Sequence, residues 1–197
     1  MKILKRLKGF TLVELLVVIS IIAILASLAL PAITGALVQG QATQSLSNSR
    51  QLYVATFNMA ADGTSTGDTN LGWPADTGGT WTAWATPLVS GGYMSTNDFC
   101  KMLSAPGVVR STNTAVGTVG SNALAILNLG DNSPMQAVFI RSANFVAPGT
   151  AILANAKPFG NKAFIVLRKG GDGSVFKAVQ ATNTTLFVAT DFTNALQ

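Results

Sequence analysis

The 197-residue sequence contains no histidine, one cysteine and one glutamate. The absence of histidine excludes Ser-His and Cys-His catalysis and a His-Glu-x-x-His zinc site. The single cysteine excludes an intrachain disulfide. Charged residues make up only 11% of the chain, less than half of the roughly 25% usual in soluble domains. Because 48% of the residues are hydrophobic, the chain has ample apolar surface to bury, which argues against intrinsic disorder.

The basic residues are concentrated at one end of the chain. Four of the thirteen lysines and arginines lie within the first eight residues, and the other nine face eight acidic residues. The pI of about 9.7 therefore reflects mainly a basic N terminus. A nucleic-acid-binding surface needs clustered basic residues, so we expect no nucleic-acid partner.

A long apolar run follows the basic stretch. Residues 10–30 contain a single charge, Glu14. As a helix, this run would be about 31 Å long, close to the thickness of the hydrocarbon core of a bilayer. No lysine or arginine follows until Arg50, so the positive-inside rule places residues 1–9 in the cytoplasm. We therefore expect a single-pass protein of the inner (cytoplasmic) membrane with its N terminus inside.

Three kinds of segment share these features. A cleaved secretory signal has an apolar region of only about 7–15 residues that ends in small residues, so this run is too long for one. A plain signal anchor explains the length and the flanking charges. It does not explain Glu14, because a carboxylate in hydrocarbon is costly without a partner and the segment has no basic residue. The third alternative provides that partner.

Residues 9–14, Gly-Phe-Thr-Leu-Val-Glu, resemble the processing site of type IV pilins and type II secretion pseudopilins. The resemblance implies that a prepilin peptidase cuts between Gly9 and Phe10 and that Phe10 becomes N-methylated. It also implies that Glu14 pairs with the new N terminus of a neighbouring subunit and sets the register of assembly. Pro31 lies where this family commonly has a helix-kinking proline.

For the whole chain, the resemblance implies a non-enzymatic structural subunit of a type IV pilus-like filament or type II secretion pseudopilus, polymerised through its N-terminal helix. The implied partners are other copies or minor pilins, the prepilin peptidase, and the inner-membrane assembly platform and ATPase. The implied locations are the membrane before assembly and a periplasmic or cell-surface filament afterwards. The alternative is a minor pilin or anchored binding module whose head recognises DNA, glycan or a secreted protein.

The expected fold is α+β, with a long N-terminal helix, membrane-spanning in its first half, packed against a small antiparallel sheet in the lollipop form of pilins. We expect a basic leader (1–9), a transmembrane or filament-core helix (10–30), an amphipathic continuation (31–60) and a globular head (61–197). Pro31 and two nearby glycines are expected to weaken the helix over 31–40.

The amphipathic continuation has a predicted apolar stripe that supports the head. Its members are Leu46, Arg50, Tyr53, Phe57 and Ala60, with Leu52, Val54 and Met59 beside them. Asp62-Gly63 is expected to close the helix.

Residues 61–135 are rich in glycine, threonine, serine and asparagine, and we expect loops, short strands and one short helix near Asn97–Leu103. The aromatic residues there are expected to pin the loops to the helix, or alternatively to stack on sugars or another protein. These residues are Trp73, Trp81, Trp84 and Tyr93.

Strands are predicted at Gln136–Arg141, Ala163–Arg168, Ser174–Val179 and Thr185–Ala189, with the middle pair forming a hairpin. Residues 158–161, Pro-Phe-Gly-Asn, resemble the turn that leads into a strand in major pseudopilins. Residues 172–175, Asp-Gly-Ser-Val, resemble a hairpin found in pseudopilin-like proteins.

No cofactor is expected. Calcium coordination needs six to eight oxygens, and the C-terminal region offers only the isolated Asp172 and Asp191. A calcium ion near Asp172 is kept as an alternative. Cys100 is expected to be a buried thiol, with an intersubunit disulfide as its alternative.

Overall fold

The computed structural model describes residues 10–105, 108, 122–150, 152, 157–183, 187 and 189–196. The chain divides into two compact units between Leu37 and Val38. The first unit is helical wherever it is described beyond residue 11. The second has the α+β architecture predicted from the sequence.

The described residues form three α-helices, four strands and two short 3-10 turns. The α-helices are α1 (Leu12–Thr66), α2 (Trp81–Ser90) and α3 (Thr96–Met102). The strands are β1 (Leu124–Ile126), β2 (Val138–Ser142), β3 (Ala163–Arg168) and β4 (Gly173–Lys177). The 3-10 turns are Ala178–Gln180 and Ala189–Asp191.

Helix α1 ends four residues later than the sequence predicted. Gly63 lies inside the helix, and its missing side chain lets the backbone of Leu71 pack directly against it. The helix ends at Thr66, where Gly67 adopts a positive φ of 73° and donates from its N–H to the Gly63 carbonyl at 2.8 Å. A left-handed glycine after the last turn is a common helix stop, so the closing glycine is Gly67.

The buried face of α1 differs from the predicted apolar stripe. Leu46 and Ala60 are buried as expected, and so are Leu52 and Met59, but Arg50, Val54 and Phe57 are exposed and Tyr53 is only half-buried. Small residues complete the buried face, namely Ala42, Ser45, Ser49, Ala55, Thr56 and Gly63. They allow the head to approach closely, and their hydroxyls can be satisfied locally.

Two of these hydroxyls show how polar residues become part of the core. Ser49 donates its hydroxyl to the Ser45 carbonyl at 2.9 Å, and Thr56 donates to the Leu52 carbonyl at 3.0 Å. Because their polar groups are bonded within the helix, they can be buried at low cost. A hydrophobicity pattern reads such residues as surface, which explains the error in the predicted stripe.

Helix α2 was not expected, whereas α3 coincides closely with the predicted Asn97–Leu103. Thr80 and Ser95 cap the two helices by accepting from the N–H groups of Ala83 and Asp98. The indole rings of Trp81 and Trp84 pack 5.6 Å apart at their centroids. The three tryptophans are buried, as expected of residues that pin the loops, and Trp73 lies against Tyr53 of α1 with 6.0 Å between ring centroids.

The strands form one antiparallel sheet in the order β1-β2-β3-β4. The predicted hairpin is confirmed as β3 paired with β4, with Phe164 opposite Phe176. The predicted Gln136–Arg141 is offset slightly from β2, and residues 158–161 form the expected turn before β3. Strand β1 was not predicted.

The fourth predicted strand, Thr185–Ala189, falls partly outside the described residues. Within the described part, Phe187 is buried and Ala189 begins a 3-10 turn. Ser174–Val179 is also shorter as a strand than predicted, because the last two residues belong to the turn Ala178–Gln180.

The sheet is covered on both faces. Ile165 and Leu167 of β3 join the cluster that includes α1, α2 and α3. The intervening Phe164 and Val166 join a second cluster, where Phe164 stacks on Phe145 with 4.3 Å between ring centroids. The continuous apolar run of β3 thus reflects burial on both sides.

Candidate functional site

The residues at the start of α1 form a reciprocal capping arrangement. Thr11 precedes the first helical residue, and its hydroxyl accepts from the N–H of Glu14 at 3.2 Å. The Glu14 carboxylate accepts in return from the N–H of Thr11 at 2.8 Å and from its hydroxyl at 2.7 Å. This is the geometry of a capping box, in which two residues three apart satisfy backbone N–H groups left open at a helix start.

The capping leaves part of the Glu14 carboxylate available. Both bonds from Thr11 end on Oε2, and Oε1 has no partner among the residues that the structure describes. Phe10, just before the cap, is 75% exposed. The first helical turn therefore presents one carboxylate oxygen that no described residue contacts by a hydrogen bond, close in sequence to an exposed aromatic residue.

The remaining polar side chains of the apolar segment are satisfied within the helix. Ser20 donates to the Leu16 carbonyl at 2.8 Å, and Ser27 donates to the Ile24 carbonyl at 2.8 Å. Thr34 donates likewise to the Pro31 carbonyl at 3.0 Å. In hydrocarbon, a polar group needs such bonds within its own helix. Glu14 is the one acidic or basic residue between Thr11 and Leu37.

In the described part of the chain, α1 is the one helix long and apolar enough to cross a membrane, judged by length and composition. None of its most apolar 18-residue window is buried in the structure. Large apolar side chains along it, from Leu12 to Leu37, stand exposed. The segment therefore has unsatisfied apolar surface that lipid or other copies of the helix would cover.

Helix α1 continues through Pro31 without a break in its assignment. Pro31 has no N–H to donate to the preceding turn. Gly35 and Gly40 have open space around the position of a Cβ, so the structure gives no packing reason for glycine there. A bend at Pro31 and weakening over 31–40 stay predictions.

The predicted site residues are placed as follows. Gly9 lies outside the described residues, as does the rest of the leader. Phe10 lies two residues before α1, Glu14 lies in the first turn of α1, and Pro31 lies farther along that helix. Thr11 was missed as a functional partner of Glu14, although the spacing Thr-x-x-Glu is itself a capping-box signature.

The head shows no acid–base pair suited to catalysis in its described groove beside α1. Arg50, Val54, Met94, Asp98 and Met102 contribute to the lining of this cavity of about 700 Å³. Asp98 is occupied in capping α3, since it accepts from the Ser95 hydroxyl at 2.7 Å. Apolar and polar side chains thus both line the groove.

The other candidate residues of the head are either buried or bonded to another side chain. Cys100 is a buried free thiol, as expected. Asp172 forms an ion pair with Arg168 at 2.9 Å. No group of three or more Cys, Asp or Glu side chains able to hold a metal occurs among the described residues. Tyr93 donates its hydroxyl to Asp62 at 2.8 Å, and this bond raises the pKa of Tyr93.

Comparison with known proteins gives matches in the same N-terminal region. Residues 4–30 match the family model of the prokaryotic N-terminal methylation motif. The type IV major fimbrial protein FimA of Dichelobacter nodosus is 36% identical over 66 residues, which cover 34% of this chain and 42% of that protein. A probable minor fimbrial protein of the same organism is 40% identical over 63 residues, covering 32% and 40% of the two chains.

The matched region is therefore less than half the length of these fimbrial relatives. No solved structure matches the chain. Both relatives are fimbrial proteins by name. The N-terminal segment of this chain thus carries the prokaryotic N-terminal methylation motif, in a form similar to that of type IV fimbrial proteins.

Proposed function

We propose that the chain is a structural subunit of a type IV pilus-like or type II secretion pseudopilus filament. The observation that carries this proposal is the methylation motif matched at residues 4–30, together with the exposed apolar surface of α1, which begins within that match at Leu12. A subunit with such a helix is stable in lipid before assembly and among other helices afterwards. Minor pilins and further copies of the chain are the expected filament partners.

Processing exposes the group that completes the site. A prepilin peptidase hydrolyses the peptide bond between Gly9 and Phe10, which adds water across it and leaves a carboxylate on the leader and a free amine on Phe10. A methyl donor then supplies the methyl group on that amine. The mature chain thus begins with an ammonium group on Phe10, four residues before Glu14.

Glu14 then selects the axial position of each incoming subunit. Its Oε2 is held by Thr11, and Oε1 can accept from the N-terminal ammonium group of a neighbouring subunit. In hydrocarbon, an ammonium and a carboxylate are each costly alone and tolerable together. Thr11 fixes the rotamer of Glu14, so the carboxylate is already oriented when the neighbour arrives.

Transfer of the helix from lipid into a filament exchanges one apolar environment for another, so it supplies little hydrophobic free energy. We therefore assign assembly to helix packing, to the pairing of Glu14 with the amine of Phe10, and to an assembly ATPase acting through an inner-membrane platform. The filament is periplasmic or on the cell surface.

The decisive experiment is to locate the chain in cells. Filaments sheared from the cell surface, and the periplasmic and membrane fractions, are probed for the chain in wild-type and deletion strains. We expect the chain in a polymeric fraction, either on the surface or within the envelope. Recovery of only unpolymerised, membrane-anchored protein under conditions that support filaments would contradict the proposal.

Two variants test whether filament incorporation depends on Glu14 or on any polar side chain of the helix. Glu14→Ala should be inserted and processed but enter filaments poorly. Ser20→Ala removes another polar side chain of the same segment, one bonded only to its own helix, and should enter filaments normally. Equal incorporation of the two variants would contradict the role assigned to Glu14.

The alternative of a head that binds DNA, glycan or a secreted protein has less support. Exposed tryptophans in the loops would favour it, but Trp73, Trp81 and Trp84 are buried, which counts against it. No other described feature of the head favours it over the structural role.

A further inference from the structure

In the described part of the molecule, one edge strand of the head sheet has no backbone segment paired along its outer side. Beyond β1, C-terminal residues take the place of a further strand. Asn128 donates from its N–H to the Asn194 carbonyl at 2.9 Å, and Leu196 donates to the Ile126 carbonyl at 2.9 Å. At the other side the order ends with β4. An open edge of this kind is a template on which a strand of another chain can pair.

The hydrogen bonds of the hairpin determine which groups of β4 point to this edge. Arg168 donates from its N–H to the Asp172 carbonyl at 2.8 Å, and Ala178 donates to the Lys162 carbonyl at 3.2 Å. In an antiparallel pair, bonded and non-bonded positions alternate. With this register, Gly173, Val175 and Lys177 direct their N–H and C=O groups away from β3.

Two side chains occupy the ends of that outward row. Arg50, from α1, donates Nη2 to the Gly173 carbonyl at 3.0 Å. Gln180, from the turn after β4, accepts with Oε1 from the N–H of Lys177 at 2.7 Å. Between them, the outward N–H and C=O of Val175 have no partner in the part of the chain that the structure describes.

We propose that Arg50 and Gln180 block the β4 edge, so that a second copy of this chain cannot extend the sheet. A pairing strand needs a row of outward N–H and C=O groups on β4. The two side chains already bond groups at both ends of that row, so that only Val175 keeps both of its outward groups available. To pair further, a strand would have to displace a guanidinium and an amide from hydrogen bonds already made, with no net gain in bonds.

The blocking role accounts for the position of Arg50, which was predicted to lie in the apolar stripe of α1 but is exposed. Its long side chain crosses from the exposed side of α1 to the backbone of β4. Gly173 also leaves room for Leu167 and Leu46, because a Cβ there would lie 2.6 Å and 2.8 Å from their Cδ1 atoms and both side chains would have to shift. The blocking role does not depend on the proposed filament function and holds for a monomeric head as well.

The test uses the full chain in detergent micelles, with the double variant Arg50→Ala and Gln180→Ala. Association is measured by light scattering over a range of protein concentrations, and intermolecular strands by infrared spectroscopy. We expect half-association at an about thirtyfold lower concentration than in wild type, because two backbone groups become available and each net hydrogen bond contributes about 1 kcal/mol. Association through the apolar helix is common to all samples and serves as the baseline.

Two further variants identify the surface responsible. Gln51→Ala is a matched control, since Gln51 is exposed on α1 next to Arg50 and is not bonded to β4. Val175→Pro added to the double variant removes the outward N–H of β4 without removing a bond to β3. It should return association to the wild-type level.

The outcomes are distinct. Association of the double variant at the wild-type concentration would overturn the proposal, as would an increase that Val175→Pro does not reverse. Tryptophan fluorescence verifies that each variant is folded. If the double variant does not fold, Gln180→Ala alone, which leaves the Arg50 contact intact, should still show a smaller increase that Val175→Pro abolishes; no increase would overturn the proposal.

Discussion

Gly63→Ala is expected to destabilise the head, although alanine is the better helix former. Helix propensity alone favours alanine in a helix interior by about 0.8–1.0 kcal/mol. A Cβ at Gly63, however, would overlap the carbonyl oxygen of Leu71 and lie 2.8 Å from its carbonyl carbon. Backbone cannot rotate away as a flexible side chain can, and overpacking costs about 1–3 kcal/mol. Because the overlap is with backbone, the cost lies in the upper part of that range, about 2–3 kcal/mol, and the net loss in the free energy of unfolding is about 1–2 kcal/mol.

Urea unfolding of the full chain in detergent micelles measures this loss through tryptophan fluorescence, because the three tryptophans are buried in the head. Gly40→Ala is the matched control, since it lies in the same helix and a Cβ there meets nothing within 4 Å. Its midpoint should stay unchanged or rise. If Gly63→Ala also raises the urea midpoint of unfolding, the expected destabilisation is refuted, because the helix propensity of alanine would then outweigh the clash with Leu71.

Three other predictions concern the site and the core. Glu14→Gln retains an oxygen that can accept from Thr11 but loses the charge, so filament incorporation should fall as far as in Glu14→Ala; wild-type incorporation of the glutamine variant would reduce Glu14 to a helix cap. Phe139→Ala, at a buried position of β2, should lower the free energy of unfolding by about 3–5 kcal/mol. Phe57→Ala should lower it by only about 1 kcal/mol, because half of Phe57 is exposed. Equal losses in urea unfolding would contradict the assignment of Phe57 to the exposed face of α1. Cys100 should react with a thiol reagent only after unfolding and give no dimer on non-reducing gels, whereas rapid labelling of the folded chain would contradict its burial.

The N-terminal segment could be interpreted from sequence because its signals are local. The basic leader, the motif at residues 9–14 and the apolar run each follow from residue order alone, and the family match covers the same region. The capping bond between Thr11 and Glu14 is local as well, and the spacing of the two residues was sufficient to predict it.

The face of α1 that packs on the head could not be predicted from hydrophobicity. Burial there depends on small side chains such as Ser49 and Gly63, whose selection reflects the distance to the opposing backbone. That distance is a tertiary property. Phe57, conversely, is apolar and lies outside the buried face, which no periodicity rule distinguishes from a core position.

The strands were predictable where the local pattern is long enough to carry a signal. β3, covered on both faces, is a continuous apolar run and was placed correctly. β1 has only three residues and is held by β2 and by C-terminal residues distant in sequence, so its local pattern carries little signal. Helix α2 was missed because glycine and threonine before it, and Pro87 within it, resemble a loop.

The mass of the intact protein, purified from membrane and filament fractions, tests the central claim most directly. Cleavage after Gly9 and methylation of Phe10 predict a chain that lacks residues 1–9 and carries one added methyl group. Assembled protein that still begins with Met1 would contradict the claim, because no ammonium group would then exist at Phe10 to pair with Glu14.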